Sequence, residues 1–257
     1  MHALLVAAAL FSMTTFGKPC NSESDSKQIP VKGYKLYWSD EFDGTKLNSA
    51  KWKYRALGAR GDAFNEKSAI SIDGKGHLVI EARKSDGKII AGIVDTEGLF
   101  ETTFGYFECR VKIPKLTGAW PSFWLQSSRN QDYGEPATSG VEIDVFEYFH
   151  HERKDSVSHT LHWGGYGKTH KVAGPVFGAM RKTADDFHTF ALEWTPDSYV
   201  TYVDGVKSYE TRTNISKVPE FLVLSLEVNA IVAGPLDEAR LPARYVIDYV
   251  RVYKKAG

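Results

Sequence analysis

The sequence predicts an all-β domain, built as an antiparallel sandwich or a closed barrel. Short runs of alternating apolar and polar residues dominate the chain, and helical periodicity of about 3.6 residues is scarce. Asp-Gly pairs, a hairpin-turn signal, punctuate these runs at Asp43-Gly44, Asp73-Gly74, Asp86-Gly87 and Asp204-Gly205. Aromatic residues make up 13% of the 257. That excess fits pleated, half-buried surfaces, and a binding face on which flat ligands stack.

From the N-terminus, the first feature is the apolar run at residues 3–11 (ALLVAAALF). It is too short for a membrane span, which needs roughly 20 apolar residues. Its position reads as the apolar part of a secretory signal over residues 1–19. Residues 20–30 are polar and read as a flexible leader. One folded domain is expected over 31–257, secreted or held in the periplasm or at the cell surface. Strands are expected at 78–82, 106–113, 121–126, 141–149, 159–163, 188–194, 199–203, 220–228 and 245–253. In the second of these, Phe107, Cys109, Val111 and Ile113 share one face, and Tyr106, Glu108, Arg110 and Lys112 the other. Cys109 therefore reads as core rather than as a bridge to Cys20. The polar face reads as one suited to lining a cleft.

The 32 basic and 32 acidic side chains balance. A general nucleic-acid binder needs a basic surface, so that class is excluded, and attachment to an acidic membrane is not favoured. No phosphate-binding glycine motif occurs. Two cysteines exclude a Cys-based zinc site. A monomer is expected.

The most informative stretch is Val141-Glu142-Ile143-Asp144-Val145-Phe146-Glu147-Tyr148. Three carboxylates sit in a run of strand-forming apolar residues. In a flat strand Glu142 and Asp144 share a face, and Glu147 points into the core, where an unpaired charge is very costly. A β-bulge at Val145-Phe146 returns Glu147 to the side of the other two. Like charges on one face spread and couple their pKa values. This suits glycoside hydrolysis, in which one carboxylate attacks and another donates a proton.

Here the chain resembles glycoside hydrolase family 16, whose signature Glu-x-Asp-x-x-Glu it carries as Glu142-Ile143-Asp144-Val145-Phe146-Glu147. Further matches are Trp38-Ser39-Asp40-Glu41-Phe42, Gly105-Tyr106-Phe107-Glu108-Cys109-Arg110, Trp120-Pro121-Ser122-Phe123-Trp124 and Ile247-Asp248-Tyr249-Val250-Arg251-Val252-Tyr253. The resemblance implies a concanavalin-A-like β-jelly roll of two curved antiparallel sheets with a concave cleft. It implies a retaining mechanism with Glu142 as nucleophile, Glu147 as acid/base and Asp144 between them. No cofactor is implied for catalysis. The bulged form is the laminarinase-like one, so a β-1,3-glucan is the first substrate expected and a β-galactan the rival. Relatives that only bind glucan have lost catalytic glutamates, and both are present here.

The remaining site residues follow from the same resemblance and from strand phase. Trp120 and Trp124 are expected to stack on sugar rings, with Trp194 on the cleft side of its strand. His162, in phase with Thr160, is expected beside the carboxylates. Arg110 and Glu108 are expected to reach substrate or lock the cleft floor, with a surface ion pair as the alternative. Asn65 lies in an expected cleft loop at 60–67, and Glu227 departs from a Gly-rich stretch of many laminarinases. Arg60, Lys168 and Lys171 are the basic side chains that a sulfated galactan would want. Asp248 sits among Val246, Val250 and Val252 and is expected either to hold a structural calcium or to be hydrogen-bonded.

Overall fold

The computed structural model describes residues 32–129, 134–151, 153–180 and 186–257. The signal, the leader and Cys20 lie outside the described residues. The strands are β1 (Tyr34–Asp40), β2 (Lys53–Tyr54), β3 (Gly58–Arg60), β4 (Ala63–Asn65), β5 (Ile70–Ile72), β6 (Leu78–Ser85), β7 (Lys88–Asp95), β8 (Glu101–Thr102) and β9 (Gly105–Lys112). They continue with β10 (Ala119–Gln126), β11 (Glu142–Glu147), β12 (Ser156–Trp163), β13 (Lys171–Ala179), β14 (His188–Trp194), β15 (Tyr199–Val203), β16 (Val206–Thr211), β17 (Glu220–Val228) and β18 (Ala243–Lys255). All nine expected strands are present. The unforeseen ones have physical reasons. β7 is buried along most of its length and shows no alternation, β13 is mostly exposed and interrupted by Gly and Pro, and β16 is exposed to half-buried with no buried face.

Two antiparallel sheets pack face to face. The first runs β2–β7–β17–β10–β11–β12–β13, with β8 also beside β17. The second runs β5–β6–β18–β9–β14–β15–β16, with β1 beside the far end of β18. The β6–β7 hairpin passes from one sheet to the other. Its turn is Asp86-Gly87, and Asp204-Gly205 closes the β15–β16 hairpin. All four residues have left-handed φ, from 49° to 75°, as a tight two-residue turn that follows the sheet twist requires. Asp73-Gly74 opens the loop from β5 to β6. Asp43-Gly44 instead lies in irregular chain after β1.

The core fills the space between the sheets. Phe123, Leu125, Ile143, Phe146, Leu161, Leu224 and Leu226 enter from the first sheet. Phe107, Cys109, Val111, Phe190, Leu192, Tyr245, Val250 and Val252 enter from the second. The predicted phase of β9 is therefore right, but its polar face is not in the cleft. It lies on the outside of the second sheet, where Glu108 accepts from the Tyr249 hydroxyl at 2.9 Å and the Tyr106 hydroxyl at 3.4 Å. Arg110 pairs there with Asp248 and lies 4.4 Å from the Phe187 ring. The expectation that Arg110 reaches substrate is corrected accordingly.

Asp248 also differs from expectation. The register of β18 against β9 slips between Ile247 and Tyr249, and this bulge turns Asp248 outward while Ile247 and Val250 stay in the core. One carboxylate oxygen takes the Arg110 guanidinium, and the other lies 4.0 Å from His77 Nε2. Calcium needs six to eight oxygens. An acid already paired with a guanidinium and facing an imidazole does not fit that shell, so Asp248 is an ion-pair residue. Trp194 is corrected as well. It is 0% exposed and packs on Phe107 and Phe104, and its Nε1 donates to the Ser216 carbonyl at 3.1 Å. Trp38 and Trp52 are structural, with Trp52 Nε1 donating to Asp40 Oδ2 at 2.9 Å.

A core role for Trp194 has a measurable consequence. Trp194→Ala is expected to cost about 3–5 kcal/mol of stability by thermal or denaturant unfolding. Trp194→Phe is expected to keep the folded protein's KM. A KM change without a stability change would return Trp194 to the cleft.

Candidate active site

The first sheet has a second face, turned away from the core. Alternation along β10 puts Trp120, Ser122, Trp124 and Gln126 on it, while Phe123 and Leu125 go inward. On β17 the same face carries Ser225 and Glu227, paired with Ser122 and Trp120. On β12 it carries Ser158, Thr160 and His162. All of these side chains but Ser158 and Thr160 line a cleft of about 400 Å³, together with Arg55, Arg60, Tyr166 and His170.

β11 runs through the middle of this face. Glu142 pairs with His162 and Asp144 with Thr160, and the register then slips so that Glu147 meets Ser158. The same slip appears against β10, where Trp124 faces Asp144 and Phe123 faces Phe146. Val145 and Phe146 are both 0% exposed and both belong to the core. Phe146 stacks on Phe190 with ring centroids 4.0 Å apart. The predicted bulge is there, and it brings Glu142, Asp144 and Glu147 to the cleft together.

The three carboxyls have different surroundings. Glu147 Oε1 accepts from Trp120 Nε1 at 3.0 Å, and its Oε2 accepts from Thr160 at 3.2 Å and Ser158 at 3.3 Å. Its pKa is nevertheless pushed up to about 8, first by burial and then by the charge of Asp144. Glu142 Oε2 accepts from Gln126 Nε2 at 2.8 Å and from the Tyr166 hydroxyl. Burial raises its pKa, and the Tyr166 hydrogen bond and His162 oppose the rise. Asp144 is raised well above the ordinary range by burial and then by Glu142 and Glu227. Its Oδ2 has no hydrogen-bond partner and lies 3.4 Å from His162 Nε2.

Behind Glu142 runs a chain of polar contacts that no motif announced. Gln126 Oε1 accepts from Arg55 Nη2 at 2.7 Å, and Arg55 Nη1 donates to the fully buried Asp95 at 3.0 Å. The guanidinium carbon of Arg55 lies 5.8 Å from the Trp124 ring and 5.1 Å from Phe221. On the cleft wall Arg60 grips Glu227 with two hydrogen bonds, 2.6 and 3.2 Å.

Trp120, Trp124, His162 and Glu227 thus line the cleft as expected. Trp124 Nε1 donates to Ser225 Oγ at 3.1 Å, which anchors the indole on the cleft face. Asn65 does not line the cleft. It is 2% exposed and ties the Ala56 carbonyl at 3.1 Å, and its expected loop is the β3–β4 hairpin. Arg60 is in place, whereas Lys171 is exposed and 4.0 Å from Glu135. Sequence reasoning missed Arg55, Gln126, Tyr166 and His170. Gln126 carried a usable signal, its even spacing from Trp120 and Trp124. Tyr166 and His170 lie in the loop that follows β12, where no periodicity applies.

Comparisons with known proteins agree with this geometry. The sequence model of glycosyl hydrolases family 16 matches residues 59–251. A beta-glucanase of Rhodothermus marinus is 30% identical, over 91% of this chain and 90% of its own length. Glucan endo-1,3-beta-glucosidase A1 of Niallia circulans is 29% identical over 88% of this chain. The keratan-sulfate endo-1,4-beta-galactosidase of Sphingobacterium multivorum is also 29% identical over 88%. The chain spans only 38% and 56% of the length of those last two relatives. The crystal structure of the laminarinase catalytic domain from Thermotoga maritima MSB8 superimposes with a TM-score of 0.75 at 28% identity, covering 88% of this chain and all of that one. The two packed antiparallel sheets are the jelly roll of these neighbours, and the family model spans most of the sequence: the chain belongs to glycoside hydrolase family 16.

Proposed function

We propose that this protein is a retaining endo-glycosidase that hydrolyses β-1,3-glucan, with Glu142 as nucleophile and Glu147 as acid/base. The observation that carries the role assignment is the asymmetry of the two glutamates. Glu147 holds its proton to about pH 8, as a general acid at neutral pH must. Burial raises Glu142 too, but the Tyr166 hydrogen bond and His162 oppose that rise.

In the first step a Glu142 oxygen attacks the anomeric carbon. The bond to the leaving oxygen breaks, and Glu147 gives that oxygen its proton. In the second step Glu147, now a carboxylate, takes a proton from water, and the hydroxide displaces Glu142. No cofactor takes part. Trp120 and Trp124 offer flat apolar faces to the C–H faces of sugar rings. Burial keeps the Glu147 pKa high, and the adjacent Asp144 raises it further when it is ionised.

The glucan assignment is supported by the glucanase relatives and the laminarinase fold match. A β-galactan is the second reading. It is favoured by the galactosidase relative. Export, which an extracellular polymer calls for, rests on the apolar run at 3–11.

Glu142→Gln is expected to lower kcat by roughly three to five orders of magnitude with the melting temperature little changed. Glu147→Ala is expected to regain turnover on substrates with activated leaving groups and with added azide, and failure of both would remove the acid/base role. The pH profile carries its own sign. Because the Glu147 pKa is raised, the working protonated form persists below about pH 8, and kcat/KM falls as pH rises through that value. An alkaline limb near pH 5 would contradict the assignment. Product analysis on laminarin, lichenan, agarose and keratan-type glycans checks the substrate. Oligosaccharides from a galactan alone would replace the glucan reading.

A further inference from the structure

Two carboxylates of the proposed reaction and a neighbouring imidazole also make up a ligand set. Glu142, Asp144 and His162 each offer one donor atom, and all three atoms lie within 4.8 Å of one another. Two further observations point to a cation. Asp144, only 5% exposed, keeps an Oδ2 without a hydrogen-bond partner inside this set. That oxygen and His162 Nε2 are 3.4 Å apart. In a tetrahedral site with bonds of about 2.0–2.2 Å, neighbouring donor atoms stand roughly 3.3–3.6 Å apart. The Asp144–His162 spacing already equals one such edge.

The imidazole is also held from behind. His162 Nδ1 hydrogen-bonds His170 Nε2 at 2.9 Å, and the two rings stack 5.1 Å apart. Metal-binding histidines usually have their second nitrogen fixed in this way.

We propose that Glu142, Asp144 and His162 form a binding site for a divalent transition ion of the zinc type, which competes with substrate for the cleft. One imidazole and two carboxylates match the N/O ligand preference of zinc and leave a fourth position for water. Calcium and magnesium, which take six or more oxygens, are poorly served by it. An ion on Glu142 engages the oxygen that would attack the sugar. Zinc is therefore an inhibitor here, with no part in the reaction. Only the competition rests on the glycosidase reading; the binding stands on the donor geometry.

The test titrates the metal-free full chain with zinc chloride by isothermal calorimetry and follows hydrolysis in parallel. One site per chain is expected, with affinity at least tenfold weaker in H162A and unchanged in H77A, whose imidazole faces Asp248 on the other sheet. Zinc is expected to raise apparent KM with kcat unchanged, and EDTA to restore the original KM. No saturable binding, equal affinity in H162A, or inhibition that lowers kcat alone would overturn the proposal. Should H162A not fold, judged by its circular dichroism melt, cobalt(II) on the parent chain answers instead. Intense visible bands of tetrahedral ligation support the site, and a pale six-coordinate spectrum rejects it. Zinc binding lost in H162A, in a chain that hydrolyses no polysaccharide, would keep the metal site and remove the glycosidase assignment alone.

Discussion

One extra residue in β11 holds the site together. A strand alternates sides, so Glu142 and Glu147, five positions apart, belong on opposite faces. With the register slip after Asp144 they share one. Two consecutive apolar residues, Val145 and Phe146, are then turned toward the core, and Phe146 finds Phe190 of the opposite sheet 4.0 Å away. Without the slip, the core would receive the Glu147 carboxyl, whose burial without a partner costs several kcal/mol. Core packing and cleft chemistry are therefore two sides of one backbone irregularity.

Given three acids on one face, their neighbours separate their roles. Burial raises all of them. Two hydroxyls and an indole serve Glu147, yet burial and the adjacent Asp144 keep its proton affinity high. Gln126 serves Glu142, and its orientation is set from behind. Arg55 has only donors to offer, so it takes the amide oxygen of Gln126 and leaves the amide nitrogen for Glu142. Asp95, buried in the sheet, holds Arg55 in turn. A hydrogen-bond donor is thus aimed at Glu142 without a full positive charge beside it.

Much of this was legible from residue order. Alternation identified the core face of β9 and put His162 in phase with Thr160 on β12, and the spacing of the acids foretold the bulge. Alternation could not say to which sheet a face belongs. Tyr106, Glu108 and Arg110 have the phase of a polar face, and that face proved to be the outside of the second sheet. Trp194 failed for the complementary reason, since an indole suits a core as well as a sugar. Asp248 was misplaced by a second bulge, in β18, that no residue pair announced. Arg55, Tyr166 and His170 enter the cleft from chain outside the sheet's regular alternation, where the fold alone sets position.

Polar faces on the two sheets differ in what their acids have left to offer. Glu108 is occupied on both oxygens by tyrosine hydroxyls of its own sheet. Asp144 keeps one oxygen unpartnered, and so does Glu220, whose other oxygen accepts from the Val141 amide at 3.0 Å. An orphaned oxygen alone therefore does not mark a site. Glu220 is 0% exposed and lines none of the cleft, so its cost is a structural one at the start of β11. Asp144 opens onto the cleft beside an imidazole. Its unpartnered oxygen lies 3.4 Å from His162 Nε2, and that place beside the two glutamates separates it from a merely buried carboxylate.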